Sequence, residues 1–319
     1  MKTFFTSIIA IVITTSSFAQ NPDKALARVR YSFSHIQDTT QKDKPYTENM
    51  LLVIGKNASV YTSYDKINRN LEMERQIQEQ LKNQAGSGSM KITIGSPLAP
   101  NKQTNPLDYF FFASENKFFT KERIFNNYLV EEEAPKINWK ITKDTANFSG
   151  VKCQKAIANF KGRTWTAWFA PDMPFQSGPW KLNGLPGLII EAVDQTGTVK
   201  FQFAGIDDVK TEETKTPEKE GPKILTPGGG AMPMASIMGM DGNSYLGAEI
   251  KLPTDAIKTN KKELDKLKAA RDKNPQGFMN AQMASQGIQM GVSRTAKVVT
   301  NSDVKKIVIN NPIELPETK

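Results

Sequence analysis

The stretch Val151-Lys152-Cys153-Gln154-Lys155-Ala156-Ile157-Ala158-Asn159-Phe160-Lys161-Gly162-Arg163-Thr164-Trp165-Thr166-Ala167-Trp168-Phe169 decides the fold class. Two strand-favouring runs flank Lys161-Gly162-Arg163, a short polar link that signals a hairpin. The same design follows in Leu188 to Val193 and Val199 to Phe203, which flank Asp194-Gln195-Thr196-Gly197. Strands joined this closely pair antiparallel, because a parallel crossover needs a dozen or more residues.

Working outward, Ala27, Val29, Tyr31 and Phe33 alternate with Arg28, Arg30, Ser32 and Ser34, the period of a half-buried strand. Met50 to Ile54 and Val60 to Tyr64 flank Gly55-Lys56-Asn57 and read as a second hairpin. Tyr109 to Phe112 and Lys117 to Phe119 are short aromatic runs split by Ser114-Glu115-Asn116, and Ile124 to Val130 and Ile137 to Ile141 follow. Helices are expected over Asn68 to Lys82, with Met73, Ile77 and Leu81 on one stripe, and after Asn260, whose cap pairs with Glu263 ahead of Leu264 and Leu267. Asn274-Pro275 ends the latter, a shorter helical stretch spans Phe278 to Met290, and Lys305 to Ile309 closes with a strand. The expectation is a β-rich α+β fold: one curved antiparallel sheet, half-barrel-like, with two or three helices. Residues 20–319 form a single domain, with a mobile insertion at about 207–248, where charged residues give way to Pro227-Gly228-Gly229-Gly230.

The 319 residues are 38% apolar and 24% charged, too apolar for a disordered chain and too charged for a multi-span membrane protein. One cysteine excludes a disulfide framework, and one histidine excludes multi-histidine metal centres. The net charge of +9 comes from lysines scattered among acids, with no arginine cluster, so no nucleic-acid partner is expected. Lys2, the apolar run from Phe4 to Ile13 and the small residues around Ser17-Phe18-Ala19 form a secretory signal peptide, residues 1–19, cleaved between Ala19 and Gln20. That run is too short for a membrane span of about 20 residues, so no transmembrane segment is expected. The mature protein would be periplasmic or secreted.

The most distinctive block lies between Trp165 and Val193. Three of the four tryptophans, Trp165, Trp168 and Trp180, fall there, around Gly178-Pro179 and the hexapeptide Gly184-Leu185-Pro186-Gly187-Leu188-Ile189. Leu185-Pro186-Gly187-Leu188 has the residues of a type II turn, proline first and glycine at the position needing φ > 0. Such a block is either a rigid corner with a core layer or the wall of a binding cleft. The hexapeptide resembles the signature of the GLPGLI family. Cys153-Gln154-Lys155-Ala156, Ala167-Trp168-Phe169, Gly178-Pro179, Tyr31, the hairpin Ser59 to Asp65 and the closing Asn311-Pro312-Ile313-Glu314-Leu315 resemble it too. The resemblance implies an exported protein of the bacterial envelope, and it brings no catalytic residues with it.

Chemistry-bearing motifs are few. There is no Gly-x-Ser-x-Gly elbow, and His35 continues the apolar face of its strand, as a structural histidine does. Cys153 lies within a strand and reads as a core thiol. Glu131-Glu132-Glu133 reads as a solvated loop or edge, since neighbouring strand residues point to opposite faces. Met232, Met234, Met238 and Met240 crowd a histidine-free loop, and soft thioethers select Cu(I). The leading expectation is a non-catalytic envelope protein that binds an apolar ligand or a protein partner, with Tyr109, Phe110, Phe112, Phe118, Trp165, Trp168 and Trp180 lining a concave face. The alternative is Cu(I) handling through the four methionines, with no other cofactor, and a hydrolase ranks third.

Overall fold

The computed structural model describes residues 22–83, 103–209, 223–225, 231–233, 245–285 and 308–317. Sixteen strands and three helices appear among them. In chain order they are β1 (Asp23–Lys24), β2 (Ala27–His35), β3 (Tyr46–Ile54), β4 (Ala58–Ser63), α1 (Tyr64–Asn83), β5 (Leu107–Phe112), β6 (Lys117–Arg123), β7 (Asn127–Glu133) and β8 (Lys140–Phe148). Then come β9 (Val151–Phe160), β10 (Arg163–Ala170), β11 (Leu188–Asp194), β12 (Val199–Asp208), β13 (Lys223–Leu225), β14 (Ala231–Pro233), β15 (Glu249–Ile250), β16 (Ile257–Thr259), α2 (Lys261–Lys273) and α3 (Pro275–Ser285). Twelve strands form one curved open sheet in the order β16-β7-β6-β5-β4-β3-β2-β12-β11-β10-β9-β8. The fold is β-rich α+β, as the hairpin spacing predicts. One pair departs from the antiparallel rule: β16 runs parallel to β7, Ile257 against Tyr128, because more than a hundred residues separate the two strands and leave room for a crossover.

The hairpin that decides the fold forms as read. Lys161 and Gly162 take φ of 51° and 67°, both positive, as the tight two-residue turn matching strand twist requires. Asn260 caps α2, its side chain accepting from the Glu263 N–H at 3.0 Å, and Leu264 is buried behind it. Other boundaries shift. α1 begins at Tyr64, directly off β4, and among its described side chains Ile67, Asn70 and Ile77 are buried. β7 starts at Asn127, because Ile124 to Asn126 make the tight turn after β6, with the Ile124 N–H donating to Asn126 O at 3.2 Å. Val308 and Ile309 are exposed and not in a strand. Of the stretch 207–248, β12 continues through Asp208, β13 pairs with β14, and Tyr245 and Leu246 pack against the sheet; residues 210–222, 226–230 and 234–244 lie outside the described residues.

Period-two alternation splits the buried side chains between two faces. The inner face gathers Tyr31, Phe33, Met50, Leu52, Tyr61, Tyr109, Phe118, Trp165 and Phe201 into the main core. The outer face gathers Leu51, Val53, Val60, Phe110, Phe112 and Phe119, under Ile67 of α1 and under Tyr245 and Ile250. Two irregular segments cover the inner face. One is the connection from β10 to β11, residues 171–187, which brings Trp180, Leu182 and Leu185 into the main core. It reaches across to the strand pairs beyond, where the Trp139 Nε1–H donates to Asn183 O at 2.8 Å. The other is the C-terminal segment 308–317.

The hexapeptide departs from the type II turn. Gly187 does not take positive φ; Gly184 does, at 85°. The Gly187 N–H donates to Leu185 O at 2.8 Å, a tighter turn centred on Pro186. Glycine is required at 187 for closeness instead, since a Cβ there would lie 2.2 Å from Ala170 O. The chain is pressed against the end of β10, and Leu188 N–H and Ile189 N–H then donate back to Met173 O and Ser177 O, each at 3.0 Å.

Arg163 ties the inner face together. Its Nη1 donates to Asp194 at 2.8 Å and to Thr198 Oγ1 at 3.2 Å, its Nη2 to Asn311 Oδ1 at 2.7 Å and Pro312 O at 2.6 Å, and its Nε to Ile313 O at 2.8 Å. Both Arg163 and Asp194 are buried. Removing one partner of a buried, hydrogen-bonded pair strands the other and costs about 3–5 kcal/mol. Arg163→Met is therefore expected to lower unfolding stability by about that amount in denaturant titration, with the slope unchanged; a loss below about 1 kcal/mol would show that the C-terminal segment is not held by this residue.

Candidate ligand site on the inner face

Alternate residues of five strands converge on one hollow. β2 supplies Phe33 and His35, β3 Tyr46 and Met50, β4 Tyr61, β5 Leu107 and Tyr109, and β12 Phe201. Trp180 enters from the 171–187 connection, and Pro312 and Ile313 from the C-terminal segment. Together with Gln37, Gln103, Thr104, Asn105, Pro106 and Ile309 these residues line a cavity of about 350 Å³, within the size range of small-molecule pockets. Its aromatic wall is continuous: Phe33 stacks on Phe201 at 4.9 Å between centroids, and Tyr61 meets Phe201 at 6.3 Å and Tyr109 at 6.4 Å. Behind the wall, Trp165 packs 5.7 Å from Trp180 and 6.0 Å from Phe201. Trp180 sits at φ 55°, a left-handed position a bulky residue holds only where its surroundings over-determine it.

Of the polar atoms in this wall, the Trp180 indole N–H lies against the Tyr109 hydroxyl, and the Tyr61 hydroxyl has no hydrogen-bond partner. Tyr61 and Trp180 are buried, at 3% and 5% exposure. The neighbours of Tyr61 differ from it. Tyr31 OH donates to Ile189 O at 2.6 Å, Tyr46 OH to Glu48, and Trp165 Nε1–H to Phe160 O at 3.1 Å. A buried group left unpaired costs about 1–3 kcal/mol, so such an atom calls for an explanation. Burial, reinforced by the Tyr31 ring and the Glu48 charge, holds Tyr61 well above the usual phenol range, so it stays protonated and able to donate. His35 is pulled below its ordinary value by burial, and its Nε2 pairs with Asn311 O at 2.8 Å. Among the described residues lining the cavity, none is Asp, Glu, Lys or Arg.

Lys181 lies beside this wall, its Nζ 5.9 Å from the Tyr109 ring centre and 5.5 Å from that of Phe118. It pairs with Glu132 at 2.7 Å and Glu314 at 2.9 Å. Burial alone would lower its proton affinity, but the two carboxylates more than reverse that and raise it. This overturns the reading of Glu131-Glu132-Glu133 as a solvated run: Glu131 and Glu133 are exposed, but Glu132 faces inward opposite Phe118 and accepts from Thr120 and Lys181.

Of the aromatic residues expected at a ligand site, Tyr109 and Trp180 line the cavity, and Trp165 and Phe118 lie in the core of the same face. Phe110 and Phe112 point to the opposite side, because they alternate with Tyr109 along β5. Trp168 packs with Phe148 and Lys155, away from the hollow. Met232 belongs to β14, whose side chains are not described, and Met234, Met238 and Met240 lie outside the described residues. Tyr46, Tyr61 and Phe201 were not singled out by sequence. Tyr61 lies in a read hairpin, but nothing in a sequence signals an unpartnered hydroxyl.

On the outer face, Asp108 is buried among Lys66 at 2.6 Å, Lys121 at 3.3 Å and the Tyr245 hydroxyl at 2.8 Å. A smaller hollow of about 240 Å³ lies beside Tyr245 and Phe110. Among the described residues no helix is long and apolar enough to cross a membrane.

Residues 123–191 match the model of a family described as "Protein of unknown function (Porph_ging)". The matched span runs from the end of β6 into β11 and contains the hexapeptide. No curated protein matches the chain. Among solved structures the chain is similar to PNGF-II in two crystal forms, at 13% identity with TM-scores of 0.40 and 0.41. The likeness covers 59% of this chain and 29% and 28% of theirs, so the chain spans less than a third of their length.

Two groups give measurable consequences. Burial, with the Glu191 charge, pushes the Cys153 thiol up to about 11; at about pH 8 the native thiol is expected to react with iodoacetamide at least about a hundredfold more slowly than the unfolded one. For Asp108, burial pushes the carboxyl up, but Lys66, Lys121 and Thr62 more than reverse it, to about 2 against 3.8 ordinarily. Its folded value lies below the unfolded one, so its stabilisation is full above about pH 4 and is lost as pH falls toward about 2. Unfolding titrations over that window should show about 2 kcal/mol more acid sensitivity in the wild type than in Asp108→Asn; equal sensitivity would place the charge elsewhere.

Proposed function

We propose that the protein is an exported binding protein of the bacterial envelope that holds a small apolar ligand in the inner-face cavity. The observation that carries this reading is the hollow of about 350 Å³ on the inner face, walled by the rings of Phe33, Tyr46, Tyr61, Tyr109, Trp180 and Phe201. A cavity serving only packing would be filled or dry and apolar. The N-terminal leader pattern and the resemblance to the GLPGLI family support export, and the match over residues 123–191 to an uncharacterised family is consistent with it. A non-catalytic role is favoured by the lining: His35, the one imidazole, already pairs through Nε2 with Asn311 O and touches no nucleophile that the described residues supply.

The test is native mass spectrometry of the protein purified from its own envelope in mild buffer. A non-covalent organic adduct is expected, released when the protein is unfolded. Added copper instead would move the function to Met232, Met234, Met238 and Met240 and overturn the apolar-ligand reading. A clean apo mass would also overturn it, and would direct attention to a protein partner.

A further inference from the structure

We propose that the cavity takes an uncharged amphiphile, with its apolar body against the buried rings and a hydroxyl, carbonyl or amide head at a mouth formed by Gln37, Gln103, Thr104 and Asn105. This rests on the cavity being the ligand site.

The lining is graded from end to end. Met50, Phe201, Tyr61 and Trp180 are between 0% and 5% exposed, whereas Gln37, Thr104 and Asn105 are half-buried and Gln103 is exposed. Buried residues lie farthest from water, so the hollow has a floor and a mouth. The floor offers rings and a thioether. Its Tyr61 hydroxyl and Trp180 Nε1 are closed off from it, so a polar ligand group placed there loses water and gains no partner from either. The mouth is different. Gln37 and Gln103 carry amides that both donate and accept. Thr104 Oγ1 already accepts from Arg69 at 2.9 Å, which leaves its O–H to donate. Asn105 Oδ1 already accepts from the Leu107 N–H at 3.0 Å, which leaves its amide N–H groups to donate. A ligand that matches both ends has an apolar body and one polar head with an acceptor oxygen.

Charge narrows the head further. Among the described lining residues none is Asp, Glu, Lys or Arg. Two charges flank the mouth from behind its lining, and their signs are opposite. Glu48, buried, accepts from the Asn105 N–H at 2.9 Å and from Tyr46 OH. Arg69 donates to Thr104 Oγ1 on the other side of the same short segment. An anionic head meets Glu48 and a cationic head meets Arg69, so neither sign is favoured. Neither head finds an opposite charge in the described lining to offset its lost hydration. His35, held below its ordinary value by burial and paired with Asn311 O, adds no cation near neutral pH. An uncharged head gives up less hydration, and the amides and hydroxyl of the mouth replace what it loses.

The experiment is calorimetric titration of the purified full chain with octanol, octanediol with a hydroxyl at each end, octanoate and octylammonium. Octanol is expected to bind at least about tenfold more tightly than the diol, whose second hydroxyl would enter the floor without a partner. Octanol should also bind at least about fivefold more tightly than octanoate or octylammonium. Gln103→Lys, at an exposed position, sets a cation at the mouth and should tighten octanoate by at least about threefold while leaving octanol within about twofold. Equal binding of octanol and the diol, or no gain for octanoate in the variant, would overturn the floor-and-mouth orientation and leave the cavity reading standing. Tightest binding of either charged probe to the wild type would overturn the uncharged head alone. Binding of none would overturn the cavity as the ligand site. The wild-type series decides the matter even if the variant fails to fold.

Discussion

Five N–H groups of one buried guanidinium, Arg163, join three parts of the chain that sequence keeps far apart. The residue opens β10; it grips Asp194 at the end of β11 and the carbonyls and amide of Asn311 to Ile313. Asp194 in turn accepts from the Val199 N–H at 2.7 Å and from Thr198, and so fixes the turn into β12. Burying such charges is costly unless every donor and acceptor is met, and here all five donors are. The C-terminal segment therefore has one place to lie. It also donates from Asn310 and Asn311 N–H to Gln37 O and from Leu315 N–H to Lys161 O, spanning the inner face from β2 to the β9–β10 turn.

That constraint shapes the hollow. A curved open sheet leaves its inner face exposed unless something fills it, and here two irregular segments fill it incompletely. The 171–187 connection brings Trp180 and Lys181 inward, and Lys181 is held between Glu132 of β7 and Glu314 of the C-terminal segment. One ion-paired lysine thus links the two covering segments to the far side of the sheet. The space left over is walled by aromatic rings from the sheet and by Trp180, with Gln37, Gln103, Thr104 and Asn105 also in its lining. A hollow walled by packed aromatic rings, with a few polar groups among them, is an arrangement suited to holding a small apolar ligand.

Much of the scaffold was legible in the chain. The Lys161-Gly162 link, the alternation from Ala27 to Phe33 and the Asn260 cap each act over a few residues, and local backbone preference is enough to set them. The hexapeptide corner was recognisable as a corner, yet its geometry was not: Gly187 is required by the approach of Ala170 O, a contact across the chain, and not by its own φ. The aromatic runs told the same story. Tyr109 to Phe112 signals burial on both sides, but the run does not say which ring faces the hollow and which faces α1.

The sequence by itself determined a β-rich domain of closely joined antiparallel strands, a rigid corner around Pro186, and the poverty of catalytic motifs, because these depend on neighbours within a turn or a strand pair. Only the tertiary structure decided that Glu132 pairs with Lys181 rather than with water, that β16 joins the sheet in parallel, and that Tyr61 and Trp180 line one cavity. Those outcomes depend on residues far apart in the chain, from 49 positions for Glu132 and Lys181 to more than a hundred for Tyr61, Trp180 and Ile313, being brought together by sheet curvature and by the segments tied across it. No local pattern encodes such an encounter.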